Sequence, residues 1–291
     1  MAELKPAILI QLDPDPQPSV FDGVVAVDSG VDHLFRHGGV RPEAVRDLVH
    51  GALFTRGMSD LSRTAIFVGG SNVERGEELL NAVRATFFGG FRVSVLFDAN
   101  GCNTTAAAAV LAAIEGVKGR IEGVSTAVLA GTGPVGLRVA RLLGNLGAQV
   151  AVGSRSLERA QEAIQVIDPD GTRSYRAIAT SDEGTLVREL AGVEIVVAAG
   201  AAGITLLPSH VRESLRDLKV AIDLNAVPPM GIEEVAAPDK GVEREGVLCW
   251  GALGIGGNKM KIHKKAIREL FTSNDKVLDA EEVLAIGRSL G

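Results

Sequence analysis

Apolar residues in this chain fall in short runs, and most runs are followed by a stretch with helical period. Ala7–Leu12, Thr64–Val68 and Arg92–Phe97 read as strands, and Pro42–Phe54, Asn72–Phe87 and Asn103–Glu115 as helices. Glu115–Ser125, which mixes glycine with charge, reads as a boundary. A second series follows, with strands at Ser125–Ala130, Gln149–Gly153, Glu194–Ala199 and Val220–Leu224. Its helices are expected at Val135–Leu146, Leu157–Ile167 and Asp182–Leu190. Runs rich in Val, Ile and Ala that alternate with helical segments predict βα units around a mainly parallel sheet. From Gly251 onward the pattern predicts a glycine-rich loop, then helices over Lys259–Phe271 and Ala280–Ser289.

The expected fold class is therefore α/β with two lobes. Residues 121–248 form a Rossmann-type parallel-sheet domain, and residues 1–120 form a separate α/β domain. The segment 249–291, about 40 residues, is too short to stand alone and is expected to pack back on the first domain. That return would place the glycine-rich loop between the lobes.

Composition changes this picture little. Hydrophobic residues make up 46% and charged residues 23%, ordinary for a globular chain. A net charge of −6 argues against general nucleic-acid affinity, which needs a broad basic face. The purest apolar run, Ala106–Ile114, is about half the length of a membrane-spanning helix. The N-terminus turns acidic and proline-rich after one short strand, so it does not read as a signal peptide, and a cytoplasmic location is expected. Cys102 and Cys249 have no metal or disulfide spacing. His33, His37, His50 and His210 form no ligand set either, so no metal is expected.

The stretch "VLAGTGPVGLRVARLLGNLGAQVAVGSRS" carries the clearest chemistry. Gly131, Gly133 and Gly136 spell G-x-G-x-x-G between a strand and a helix, with Thr132, Pro134 and Val135 completing the turn. The first glycine permits the tight turn, the second lets a pyrophosphate approach the backbone, and the third lets helix pack on strand. The new helix then offers free N–H groups to an anion. An NAD site usually has an acidic residue at the end of the second strand. Here that position reads "GSRS", so Ser154 and Arg155, joined by Arg159 one turn on, suit a 2′-phosphate and point to NADP. The strand ends "VVAAGAAG" and "DLNAVPPMG" should line the same crevice. Ala199, Gly200 and Ala201 would let the nicotinamide ribose lie close. Asn225 either hydrogen-bonds it or serves a plain turn.

The first lobe gathers polar residues at its strand ends. In "FDANGCNTTAAAA", Asp98, Asn100, Asn103 and Thr104 sit where a strand gives way to an alanine-rich helix. Asn103 or Thr104 could simply cap that helix. Carboxylate and amide together also match a pterin edge, with its alternating donors and acceptors.

The motifs "PSVFD", "TAIFVGG", "FDANGCNTTAAA", "LAGTGPVG", "AAGAAGI", "DLNAVPPMGI" and "GALGIGGNKMKIH" together resemble the bacterial NADP-dependent methylene-tetrahydromethanopterin dehydrogenases. These are related in fold to the methylene-tetrahydrofolate dehydrogenases. The resemblance runs in order from about Ile8 to the C-terminus. It implies reversible hydride transfer from the methylene carbon of a reduced pterin to NADP⁺ in one-carbon metabolism, with tetrahydromethanopterin as the carrier and the preference between it and tetrahydrofolate left open. It also implies a homo-oligomer, trimeric or hexameric. Two nitrogens flank the reacting carbon and expel the hydride, so the reaction needs positioning rather than a general base.

The resemblance assigns Lys259 as the active-site lysine, orienting the pterin with Asp98 as its partner. Phe21, Asp22, Asn100, Asn103 and Thr104 are the corresponding candidates for pterin contact, Phe21 being equally suited to the core. His263, four residues after Lys259, either borders the site or packs away from it. Lys261, Lys264 and Lys265 are left to solvent or to anionic ends of the ligands. Two other readings stay open: an NADP-linked dehydrogenase of another small metabolite, of the shikimate type, and a non-catalytic NADP(H)-sensing protein.

Overall fold

The computed structural model describes residues 4–291. The chain runs β1 (Ile8–Leu12), α1 (Val20–Asp28), β2 (His33–His37), α2 (Pro42–Phe54), β3 (Thr64–Val68), α3 (Val73–Thr86), β4 (Ser94–Phe97) and α4 (Cys102–Gly116). It continues with β5 (Ser125–Leu129), α5 (Pro134–Asn145), β6 (Gln149–Ser154), α6 (Leu157–Ile167), β7 (Tyr175–Ala179), α7 (Glu183–Glu189), β8 (Ile195–Ala198), α8 (Ser209–Ser214) and β9 (Val220–Asp223). Last come β10 (Lys240–Arg244), β11 (Val247–Trp250), α9 (Ala252–Glu269), β12 (Val277–Leu278) and α10 (Ala280–Arg288). Among the described residues, no helix is long and apolar enough to cross a membrane.

Two compact units result: residues up to Thr104 together with Met260–Gly291, and Thr105–Lys259. Of the C-terminal segment, Met260–Gly291 falls in the first unit and residues 249–259 in the second, with the divisions inside α4 and α9. Continuous helices cross both divisions, and a composition shift such as Glu115–Ser125 does not mark them.

In the first unit, five strands lie in the order β12-β4-β3-β1-β2, all parallel. β3 and β4 are buried along their whole length, which is why they read as unbroken apolar runs. β2, "HLFRH", is a half-exposed edge strand, and its polar pattern hid it from the sequence reading. The core is built on Leu9, Leu12, Leu53, Ile66, Phe67, Leu96 and Phe97, all essentially inaccessible. The other edge comes from the far end of the chain, where Val277 and Leu278 pair with Val95 and Leu96. A capping box of Asp279 and Glu282 starts α10 directly after it.

In the second unit, seven strands lie in the order β10-β11-β9-β8-β5-β6-β7. All neighbours are parallel except the β10–β11 pair. The six parallel strands, β7-β6-β5-β8-β9-β11, follow the doubly wound dinucleotide-binding order, with the winding reversing between β5 and β8.

One expectation fails at the glycine-rich stretch. Gly251–Gly257 is not a loop: α9 begins at Ala252 and runs 18 residues. Its first N–H groups are satisfied by the turn before β10. Leu253 and Gly254 donate to the Ala237 carbonyl, and Gly251 donates to that of Asp239. A side chain on Gly254 would come within 1.7 Å of the Asp239 oxygen. Tertiary hydrogen bonding and close backbone contact thus override poor helix propensity.

Candidate active site

Ligands of open α/β sheets collect at the carboxyl ends of the strands, where the winding reverses. In the second unit that point is the turn after β5. α5 starts at Pro134, with Gly133 as its N-cap residue. A side chain on Gly131 would come within 2.8 Å of the Val128 carbonyl, and one on Gly136 within 2.7 Å of that of Ala130. These two glycines are demanded by the protein itself. Gly133 is different, because the nearest atom to an added Cβ is 3.5 Å away. Protein packing tolerates a methyl there.

A cavity of about 330 Å³ opens beside this turn, at the ends of β5, β6, β7 and β8. Of the expected residues, Thr132, Ser154, Arg155, Arg159, Gly200 and Ala201 line it. No acidic residue does. Arg155 and Arg159 are exposed and form no ion pair among the described residues. Ser156, Thr180, Ile204 and Leu206 also line the cavity and were not singled out in the sequence. Thr180 follows the partly exposed strand β7, whose weak apolar pattern gave no signal.

Ala199 and Asn225 are not among the lining residues. Asn225 is buried and spends its amide on a turn, donating to the Pro229 carbonyl and accepting from Val227. A larger cavity of about 470 Å³ opens at the opposite, amino ends of β5, β8 and β9. Its Lys219 and Glu194 pair with each other, and it lies away from the switch point.

The first unit has its own switch point, between β1 and β3. Three strand ends converge there: Asp13 after β1, Gly69–Gly70 after β3, and Asp98 after β4. Asp98 Oδ1 accepts from the backbone N–H groups of Asn103 and Thr104, at 2.9 and 3.0 Å. Its Oδ2 accepts from the Thr104 hydroxyl at 2.7 Å. The carboxylate thus caps α4, whereas the sequence suggested that Asn103 or Thr104 would do the capping. Asn103 is buried and donates to the Phe97 carbonyl and to Asp279.

Phe21, Asp22 and Asn100 stand differently from these committed groups. Phe21 and Asn100 are exposed and Asp22 is half-buried. Ser19 caps α1 by accepting from Asp22 N, which fixes Asp22 in the first turn. Asp22 Oδ2 faces Gly69, 3.5 Å from the position of a Cβ there. Burial raises the Asp22 pKa above the usual carboxylate value; His263 and Ser19 pull it down, and Asp98 and Asp13 push it further up.

His263 is buried, its ring 6.5 Å from that of Phe21 and 5.7 Å from that of Phe67. It therefore belongs to this cluster. Lys259 lies one turn earlier on the same face of α9, half-buried, and forms no hydrogen bond or ion pair among the described residues. Lys264 pairs with Asp28 and Lys265 with Glu269, so the rest of the lysine cluster is largely structural.

Residues 20–100 match the model of the N-terminal domain of methylene-tetrahydromethanopterin dehydrogenase. The chain is 42% identical over 283 residues to the bifunctional protein MdtA of Methylorubrum extorquens, covering 97% of this chain and 98% of that protein. It is 32% identical to the NAD(P)-dependent methylenetetrahydromethanopterin dehydrogenase of the same organism, covering 96% and 94%. Among solved structures, shikimate 5-dehydrogenase from Listeria monocytogenes, in complex with shikimate and NAD, superposes with a TM-score of 0.54. It is 17% identical, with 100% of this chain and 98% of that chain covered. Quinate dehydrogenase from Corynebacterium glutamicum, in complex with NAD, gives 0.52 at 17% identity, covering 98% and 99%. At that identity the likeness concerns the fold alone, whereas the M. extorquens relatives match in sequence from end to end. This chain belongs to the methylene-tetrahydromethanopterin dehydrogenase family.

Proposed function

We propose that this protein catalyses reversible oxidation of a methylene-tetrahydropterin to the methenyl form, with NADP⁺ as the hydride acceptor. The observation that carries the reading is the sequence match, over 96% of the chain, to an NAD(P)-dependent methylenetetrahydromethanopterin dehydrogenase. The shikimate-type alternative has only a shared fold behind it.

The residues at the dinucleotide crevice suit NADP. Gly133 leaves room for the pyrophosphate, and the N-terminus of α5 favours its charge. Ser154, Arg155 and Arg159 would hold the 2′-phosphate, with no carboxylate among the residues that line the cavity. Bound NADP⁺ supplies the electrophilic nicotinamide C4 that takes up the hydride. The rest of the chemistry asks the chain to bind, orient and exclude water. One C–H bond of the methylene carbon breaks with its electron pair, the flanking nitrogens spread the positive charge, and no proton moves.

Phe21, Asp22 and Asn100 are assigned to the pterin, with Asp22 facing its donor edge. Lys259 orients the ring by hydrogen bonding, because an ammonium opposes the forming cation electrostatically and gains nothing by facing it directly. Asp98, Asn103 and Thr104 act as positioning residues that hold the strand end and α4 in place. The protein is further assigned to the cytoplasm as a homo-oligomer, a trimer or hexamer, which sedimentation of the purified chain tests.

The test is NADP⁺ reduction with methylene-tetrahydromethanopterin and, in parallel, methylene-tetrahydrofolate. Turnover with either supports the reading, and the ratio sets the carrier preference. Tight NADP binding without turnover of either substrate would instead favour an NADP(H) sensor.

A further inference from the structure

The sequence stretch Gly251–Gly257 contains four glycines, of which two have a packing cause and two, the half-buried Gly256 and the exposed Gly257, have none. Gly251 and Gly254 press on the Ala236–Asp239 backbone, where an added Cβ would come within 2.1 and 1.7 Å of carbonyl oxygens. Gly256 has no such reason. It lies inside α9, where glycine is the poorest helix former except proline, and no atom stands within 4 Å of an added Cβ.

Its position makes this openness informative. Residues three, four and seven further along a helix share a face, which groups Gly256 with Lys259, Met260 and His263. The neighbouring stripe is the inward side of α9, with Ile255, Ile262, Ala266 and Ile267 at 3% exposure or less. Gly256 is thus half-buried on an inward-turned face, yet no side chain fills the space before it. Gly133 shows the same signature, a glycine that packing does not require, where the pyrophosphate is expected. Along α9 the face of Gly256 continues through Lys259 to His263, whose ring lies near those of Phe21 and Phe67.

Resting on the function proposed above, we infer that Gly256 is a positioning residue for the one-carbon carrier. Its bare backbone is the surface on which the carrier's flat ring lies beside Lys259. A side chain there would lift the ring off the helix and away from the ammonium.

The test compares Gly256→Ala and Gly256→Val with Gly51→Ala. Gly51 lies in α2, and a Cβ there also meets nothing within 4 Å. Steady-state kinetics with each pterin and with NADP⁺ are paired with melting curves. The expected result is a rise in KM for the pterin of about tenfold in Gly256→Ala and more in Gly256→Val. KM for NADP⁺ should hold, and neither Gly256→Ala nor Gly51→Ala should lower the melting temperature. Gly51→Ala should leave both KM values unchanged.

An unchanged pterin KM in both Gly256 variants would overturn the inference while leaving the proposed function intact. A rise confined to NADP⁺ would give the space to the dinucleotide instead, and a marked fall in melting temperature for Gly256→Ala would show that protein already fills it. No turnover of either pterin by the unaltered chain would remove the functional reading, and this inference with it.

Discussion

The NADP site proposed above makes opposite demands on single residues: Gly133 is expected to stay bare and Arg155 to carry charge. A charge-assisted hydrogen bond is worth about 1.5–3 kcal/mol. Arg155→Ser should therefore raise KM for NADP⁺ by about 10- to 100-fold and leave KM for NAD⁺ nearly unchanged, measured by steady-state kinetics with both nucleotides. Lys259→Ala should lower kcat about 100-fold through lost orientation; full turnover in that variant would refute the role given to Lys259. Asp22 has a thermodynamic signature as well. Its folded pKa lies above the ordinary value of 3.8, so the native state keeps a proton that the unfolded chain has released. The stability from this group is therefore fully present below 3.8 and is lost as pH rises through the folded value. Asp22→Asn should abolish that component, and melting curves from pH 4 to 7 should show a smaller decline than in the unaltered protein.

Among the elements, α9 departs most from its sequence. Its glycines predict a loop, and its backbone contacts make a helix. In an exposed helix a Gly→Ala change stabilises by about 1 kcal/mol. At Gly254 the sign should reverse, because the added methyl would collide with the Asp239 carbonyl. Overpacking of this kind costs about 1–3 kcal/mol, so Gly254→Ala should shift the denaturant midpoint downward. At the start of α4, the signal was present but the roles were exchanged. "FDANGCNTT" announced a cap, yet the strand-end carboxylate of Asp98 supplies it, because β4 delivers that side chain directly to the two free N–H groups. The edge strand β2 and the short strand β12 left little trace, since half-exposed or two-residue strands carry no apolar run.

At the scale of the molecule, the first unit is assembled from both ends of the chain. Deleting Met260–Gly291 would strip β4 of its β12 partner, Asn103 of Asp279, and Phe67 of the His263 ring. Hydrogen exchange on such a truncation should show lost protection in β1, β3 and β4, while β5 to β9 keep theirs. Both cysteines are buried, and burial pushes the Cys249 thiol up to about 11. Thiol reagents at pH 8 should therefore titrate neither cysteine in the native protein and both after unfolding.

The sequence by itself determined the two βα series and the strand–turn–helix that carries Gly131, Gly133 and Gly136. These follow from local pattern, because strand burial and turn geometry act within about 30 residues. The family likeness was legible for the same reason, in motifs spaced along the whole chain. Only the tertiary structure decided the membership of the units, the helical state of the stretch from Ala252, the turn role of Asn225 and the place of His263 near Phe21 and Phe67. Each of these depends on groups far apart in sequence that meet only when the sheets form. The glycines show why: composition cannot tell a glycine forced by a neighbouring carbonyl, such as Gly254, from one facing open space, such as Gly256.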